Sequence, residues 1–430
     1  MTSSENRKKR ACVIGLDGVP FDLLLKFAGD GVMPAMQQLA EKGHVHKMKA
    51  SLPEVSSVSW TSFMTGTDPG HHGIFGFTDF RDHSYQIRFP NFLDVKAPTL
   101  FDQLGEMGLK SIVINQPSTY PARKIEGALV AGFVAIELAR AVYPLSHLAA
   151  LEKMGYQIDI DTERARRDRE FLWQELDSTL QGGLRAFQYF WRQEWNLFEF
   201  IVTGTDRLHH YLWDAHADPG HAGHAGFIEY YRKVDGLIGQ IAREFEELTG
   251  DIKGLYLLSD HGFTGIAQEV YLNAWLEHAG YLAFDNPTPQ RLAEIAPGTR
   301  AFALDPNRIY LNLKSRFPRG IIDKDDKKSL KTEIAGALKE LEYQGRKVVR
   351  EVFDAEEIYS GPHAARGPDL VVLAEHGFDM KGSVGKKEIF GRSDLQGMHT
   401  WDDAFLWASH DCGADPQISD VKAQIMEEFK

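Results

Sequence analysis

Three acidic residues stand just past three apolar runs: Asp17 after ACVIGL, Asp206 after FEFIVTGT and Asp260 after LYLLS. Runs that are continuous rather than alternating read as strands buried on both faces of a parallel sheet. Ligands of open α/β sheets bind beyond the carboxyl ends of the strands. Carboxylates at three such ends therefore converge on one crevice. Asp17-Gly18 alone would be ordinary turn chemistry; the three acids together point to a cation. Two of them have imidazoles nearby. Asp206 and His210 are spaced i,i+4 in TDRLHHYLW, which on a helix puts both on one face, whereas His209 is off that register. Asp260 and His261 are adjacent, so both reach one ion only in an irregular turn, and Gly262 permits one. His399, in GMHTWDD ahead of another apolar run, is a further candidate. Carboxylate oxygen with imidazole nitrogen suits zinc, with manganese or iron as alternatives.

Candidate nucleophiles crowd the segment LPEVSSVSWTSFMTGTDPGHHGIFG, which holds Ser56, Ser57, Ser59, Thr61, Ser62 and Thr65. A short helix can begin near Ser57. A hydroxyl at a helix N-terminus sees free amides and the positive end of the dipole, which suit a phosphoryl oxygen. Local spacing selects none of these hydroxyls. Other chemistries lack their signatures. There is no G-x-x-x-x-G-K-[ST] phosphate loop, no G-x-S-x-G elbow and no G-x-G-x-x-G after a strand. The C/S-x-P-x-R context of sulfatases is missing too.

Positioning these residues requires strands at Ala11–Leu16, Ser111–Asn115, Leu129–Phe133, Phe198–Thr203, Leu255–Ser259, Ile309–Leu313, Leu370–Ala374 and Phe405–Ser409. Helical periodicity lies between many of them, over Met33–Glu41, Thr99–Met107, Glu170–Glu194, Phe227–Leu248 and Lys328–Leu341. That alternation predicts an α/β chain with a mostly parallel sheet covered on both faces. Residues 140–195 and 265–325 fit it poorly and read as insertions that cap the sheet. The aromatic stretch Phe187–Phe200 reads as core-facing, and HADPGHAGH (His216–His224) as a solvated loop. The chain has 430 residues, with 61 acidic against 48 basic side chains and a formal charge of −13, which argues against a nucleic-acid partner. Two cysteines, Cys12 and Cys412, make no disulfide framework, and no early apolar run is long enough for a membrane anchor, so a cytoplasmic protein is expected.

In order, GLDG, EVSSVSWTSFMTGTDPGHHGIFGF, TDRLHHYLW, LLSDHGF and GMHTWDD resemble the alkaline phosphatase superfamily, and more closely its type I phosphodiesterase/nucleotide pyrophosphatase branch. The resemblance runs through KAPTLFDQLGEMGLKSIVINQPSTYP, RIYLNLKSRFPRGII and EEIYSGPHAARGPDLVV, and covers about residues 10–412. It implies a single catalytic domain over 1–430, built as a three-layer α/β/α sandwich with inserted caps. It also implies a metal-dependent phosphoric ester hydrolase, a phosphodiesterase/nucleotide pyrophosphatase-like enzyme acting on small-molecule phosphate esters. Two divalent ions are expected, zinc first and manganese as the alternative. By resemblance Asp17, Asp260 and His261 hold one ion beside the nucleophile Ser56, and Asp206, His210 and His399 hold the other. A phosphoseryl intermediate follows from that assignment. Ser59 stands where the resemblance would place a phosphate-binding side chain. A Ser nucleophile is shared with phosphatase and mutase relatives, so a phosphomonoesterase or phosphomutase is the alternative. A metal-binding scaffold without catalysis is disfavoured, because every expected ligand and a hydroxyl are present. Arg81, Arg88, Arg308 and Arg392 are candidates to meet a second phosphate charge, though a solvated role is favoured for each.

Overall fold

Alternation within each apolar run sorts its side chains onto two faces, and both faces are covered. The computed structural model describes residues 9–430. Its main sheet contains β1 (Ala11–Leu16), β2 (His44–Met48), β3 (Ser111–Gln116), β4 (Gly127–Ala131), β5 (Val142–Tyr143), β6 (Leu197–Val202), β7 (Leu255–Leu258) and β8 (Ala404–Ala408). The strands lie in the order β2-β8-β7-β1-β6-β3-β4-β5. From β7 to β4 all neighbours are parallel, and antiparallel pairs occur only towards the two edges. Cys12, Ile14 and Leu16 of β1 face one cluster, with the helices Phe21–Gly29, Arg169–Trp191 and His224–Thr249. Ala11 and Val13 face the other, with helices Ser56–Thr65, Leu100–Glu106 and Val421–Glu427. The result is three layers, helix on sheet on helix.

Two expectations are refined by this packing. The stretch 140–195, expected as an insertion, supplies the helix Arg169–Trp191 to the covering layer. Leu172, Leu176, Phe187 and Phe190 of that helix are buried with Phe198 and Phe200 of β6, so the aromatic run is core. The runs IYLNL and LVVLA, expected in the parallel sheet, lie instead in a separate four-stranded antiparallel sheet of Ala301–Leu304, Arg308–Leu311, Leu370–Ala374 and Val349–Asp354. Continuous apolar character reports burial on both faces, not which sheet a strand joins. One face of this second sheet packs with Phe302, Tyr310 and Val372 beside helices Leu272–His278 and Lys327–Lys339. Its other face, through Val371 and Leu373, packs on Leu52 and Phe75, which flank the hydroxyl-rich segment. Among the described residues no helix is long and apolar enough to cross a membrane.

Candidate active site

Asp17 leaves the end of β1 with its amide bonded to the Val202 carbonyl of β6 at 2.9 Å. The next residue, Gly18, has φ 68°, and its amide donates to Asp260 Oδ1 at 3.0 Å. A side chain at Gly18 would meet His261 Cε1 at 3.2 Å, so glycine lets the β1 and β7 ends close on each other. Ser56 opens the helix Ser56–Thr65, and Trp60 sits one turn later on the same face. Both reach Asp17. Trp60 Nε1 donates to Asp17 Oδ2 at 3.0 Å, and Ser56 Oγ donates to Asp17 Oδ1 at 3.3 Å. Ser56 Oγ also lies 3.0 Å from His261 Nε2. His261 Nδ1 faces the Gly262 carbonyl at 3.0 Å, which places its proton there and leaves Nε2 as an acceptor, 3.2 Å from Asp260 Oδ2.

The second group grows from the helix Gly204–Leu212, which begins just past β6 and presents Asp206 and His210 together. Asp206 Oδ2 accepts from Arg207 Nη1 at 2.7 Å, and Arg207 is held in turn by Asp159. The other oxygen, Asp206 Oδ1, lies 3.4 Å from His210 Nε2 and 3.2 Å from His399 Nε2. His399 arrives on the strand Gly397–Thr400, paired antiparallel with Gly262–Gly265 so that it stands opposite Phe263. This pairing stacks the His399 ring on His261, with centroids 3.6 Å apart, and so ties the two groups together. It depends on Gly262, where a Cβ would fall 2.4 Å from Thr400 Oγ1.

Cations fit both groups on the chemistry of the donors. His210 Nδ1 faces the Gly397 carbonyl and His399 Nδ1 the Glu54 carbonyl, each at 3.0 Å. Both Nε2 atoms are then acceptors, and they face each other at 3.1 Å beside Asp206 Oδ1. Three converging lone pairs call for a positive charge between them. Asp206 Oδ1 and Asp260 Oδ2 are buried without a hydrogen-bond partner, a costly arrangement unless a cation satisfies them. In each group the ligand atoms lie within 4.8 Å of one another. Electrostatics agrees. Burial, then the charges of Asp260 and Asp206, hold Asp17 well above the usual carboxylate range. Burial lifts Asp260 to about 7 and lowers His210 to about 4, and burial with His399 lowers His261. Burial works against the Asp206 carboxylate as well, but His210, His399 and Arg207 outweigh it and hold Asp206 low. Burial works against a charged His399 too, but Asp206 and then Asp260 outweigh it and raise His399. Neutral imidazoles are thus favoured at His210 and His261, while His399 would give up a proton to a divalent ion.

Among the remaining hydroxyls, Ser57 Oγ is buried without a hydrogen-bond partner, and the others are engaged. Ser59 Oγ accepts from the Ser51 amide, Thr61 and Thr65 bond back to helix carbonyls, and Ser62 meets His72. Ser56 is the hydroxyl set among the acceptors. His209 is locked between the Gly18 carbonyl and Tyr231. His216 and His224 bond loop carbonyls. Arg88 pairs with Asp79 and Asp94, Arg308 donates to the Thr78 carbonyl, Arg81 lines a separate hollow and Arg392 is exposed. Sequence reasoning passed over Trp60 and Arg207. The i,i+4 spacing of Trp60 from Ser56 and the adjacency of Arg207 to Asp206 were the available signals.

With this geometry in view, the chain matches the family described as type I phosphodiesterase / nucleotide pyrophosphatase over residues 11–402. No protein with a curated description matches. Among solved structures, a phosphonoacetate hydrolase from Sinorhizobium meliloti in complex with phosphonoformate is similar, with TM-score 0.64, 16% identity, and 99% of this chain and 96% of that chain covered. The alkaline phosphatase PafA gives TM-score 0.60 at 13% identity, covering 99% and 97%. Murine ectonucleotide pyrophosphatase / phosphodiesterase 5, in complex with AMP, gives 0.56 at 13% identity, covering 98% and 94%. At such identities the likeness concerns the fold. The family match spans nearly the whole chain, and the protein is a phosphoric ester hydrolase that belongs to the type I phosphodiesterase / nucleotide pyrophosphatase family.

Proposed function

We propose that the protein is a metal-dependent phosphodiesterase in which Ser56 is the nucleophile and each acceptor group holds one divalent ion, zinc by ligand type and manganese as the alternative. The observation that carries this reading is Ser56 Oγ, 3.0 Å from His261 Nε2 and 3.3 Å from Asp17 Oδ1, at the first turn of a helix. Divalent ions bound there would supply Lewis-acid stabilisation of charge on the attacking and departing oxygens. The chain's own residues do the rest. Trp60 fixes Asp17, and Asp17 orients the Ser56 hydroxyl. The Ser56 and Ser57 amides, at the open end of the helix, receive a non-bridging oxygen of the phosphoryl group. Attack of Ser56 Oγ on phosphorus forms a phosphoseryl ester as the alcohol departs. Water then cleaves that ester and restores the hydroxyl.

A diester is favoured over a monoester by the pairing of nearby cations. Arg207 is neutralised by Asp206 and Asp159, and Lys381 is paired with Asp379 at 2.7 Å. A singly charged diester needs no further cation, whereas a monoester dianion would. A phosphomonoesterase or phosphomutase is the second reading, favoured by the Ser rather than Thr nucleophile. Turnover of aryl diester and aryl monoester, measured after chelation and after restoring zinc or manganese, separates them. We expect metal-dependent activity with the higher kcat/KM on the diester. A higher value on the monoester, or turnover indifferent to chelation, would contradict the reading. The second sheet is read as an insertion into one catalytic domain, because Val371 and Leu373 pack directly on Leu52 and Phe75. The unpaired Cys12 and Cys412 favour a reducing, cytoplasmic setting.

A further inference from the structure

A hollow of about 610 Å³ lies beside the candidate active site. It is joined to the site in two ways. Arg207, in its wall, donates to Asp206 Oδ2 at 2.7 Å. Phe77 stands in its wall and also in the wall of the smaller cleft lined by His210 and His399. Its apolar side chains Phe133, Val134, Ile136 and Ile158 share the lining with polar Gln157 and Asp159, and the Phe77 and Phe133 rings are 5.9 Å apart. Val134 and Ile136 are 64% and 84% exposed, so large apolar side chains are held in water at the rim of a charged site. Such a patch marks a place where an apolar ligand is buried. Among the described residues the cation in the lining is Arg207, which is already paired with Asp206 and Asp159.

The two hollows differ in chemistry. The smaller cleft carries Glu54, Asp305, Asp379 and Lys381 around the imidazoles of His210 and His399. His210 and His399 belong to the group that does not approach Ser56, so the departing oxygen would lie on this side. The apolar hollow, across Phe77, is left for the alcohol that stays esterified. We infer that the hollow walled by Phe77, Phe133, Val134, Ile136 and Ile158 binds an alkyl or aryl group, so that the substrate class is a phosphodiester whose retained alcohol is apolar. This rests on the diesterase reading and narrows it.

Nitrophenyl phosphodiesters with a constant leaving group and methyl, hexyl, phenyl or thymidine as the second alcohol test the inference on the metal-loaded protein. The hexyl ester is expected to exceed the methyl ester in kcat/KM by about tenfold or more, since burying each methylene is favourable. The hexyl-to-methyl ratio should fall several-fold in Ile136→Asp and in Ile158→Asp. Ile136, being exposed, keeps the test available even where the change at half-buried Ile158 disturbs folding. Equal rates for methyl and hexyl, preference for the thymidine ester, or a ratio unchanged in both variants would overturn the inference and leave the diesterase reading standing. Failure to turn over any of the diesters would overturn the diesterase reading itself, and the inference with it.

Discussion

Arg207 divides the Asp206 carboxylate between two tasks. It binds Oδ2 and turns Oδ1 towards His210 and His399, while Asp159 holds its own far side. Replacing it with Met leaves two poorly solvated carboxylates without their cation. Removing one partner from such a set costs about 3 kcal/mol, so thermal unfolding should move markedly lower. Metal content should fall from the proposed two ions per chain towards one, because Asp206 is no longer oriented. Arg207→Lys should fall between, having a point charge without the fork. Wild-type stability and full metal content in Arg207→Met would show the pairing to be incidental. The acids and imidazoles of the site were legible as residues, because carboxylates at strand ends have one place to point. The proposed nucleophile was not legible from spacing among so many hydroxyls. What singles out Ser56 is its approach to His261 and Asp17, residues far away in the chain. Trp60 and Arg207 stayed hidden because spacing from Ser56 or adjacency to Asp206 does not by itself show the side-chain bonds they make to Asp17 and Asp206.

Elements were most legible where burial is complete. The runs ACVIGL, SIVIN and LYLLS form β1, β3 and β7 because both faces of each are covered by helices. The same reasoning placed IYLNL and LVVLA in the main sheet, whereas they build a second, antiparallel one buried between its own helices and the Leu52–Phe75 contact. The edge strand His44–Met48 escaped notice because HVHKM is polar and half-exposed. The pairing of Gly262–Gly265 with Gly397–Thr400 escaped it for another reason. Short strands with two small residues at their ends carry little apolar pattern, yet this pairing sets His399 on His261. Long-range register of that kind is fixed by close backbone approach at Gly262 and not by local propensity.

At the scale of the whole molecule, the −13 charge says little about the substrate, because the acids gathered at the site are the ones that would hold the proposed cations. One buried acid stands outside this logic. Glu199, fully enclosed on β6 with both carboxylate oxygens unpartnered, is pushed up by burial to about 8. The folded chain thus keeps a proton that the unfolded chain releases near pH 4.5. Below that pH both states are protonated and the group costs nothing. As pH rises towards 8 the penalty grows, to an upper bound of about 5 kcal/mol. Glu199→Gln removes this dependence, so its unfolding midpoint should gain on the wild type steadily between pH 5 and 8. A constant offset across that range would show that Glu199 does not titrate in the fold. The central claim concerns Ser56, and it is tested most directly by Ser56→Ala assayed on an aryl phosphodiester with metal content measured on the same sample. The geometry predicts loss of turnover by about a thousandfold or more, with two ions still bound per chain. Turnover within tenfold of wild type at full metal content would contradict it.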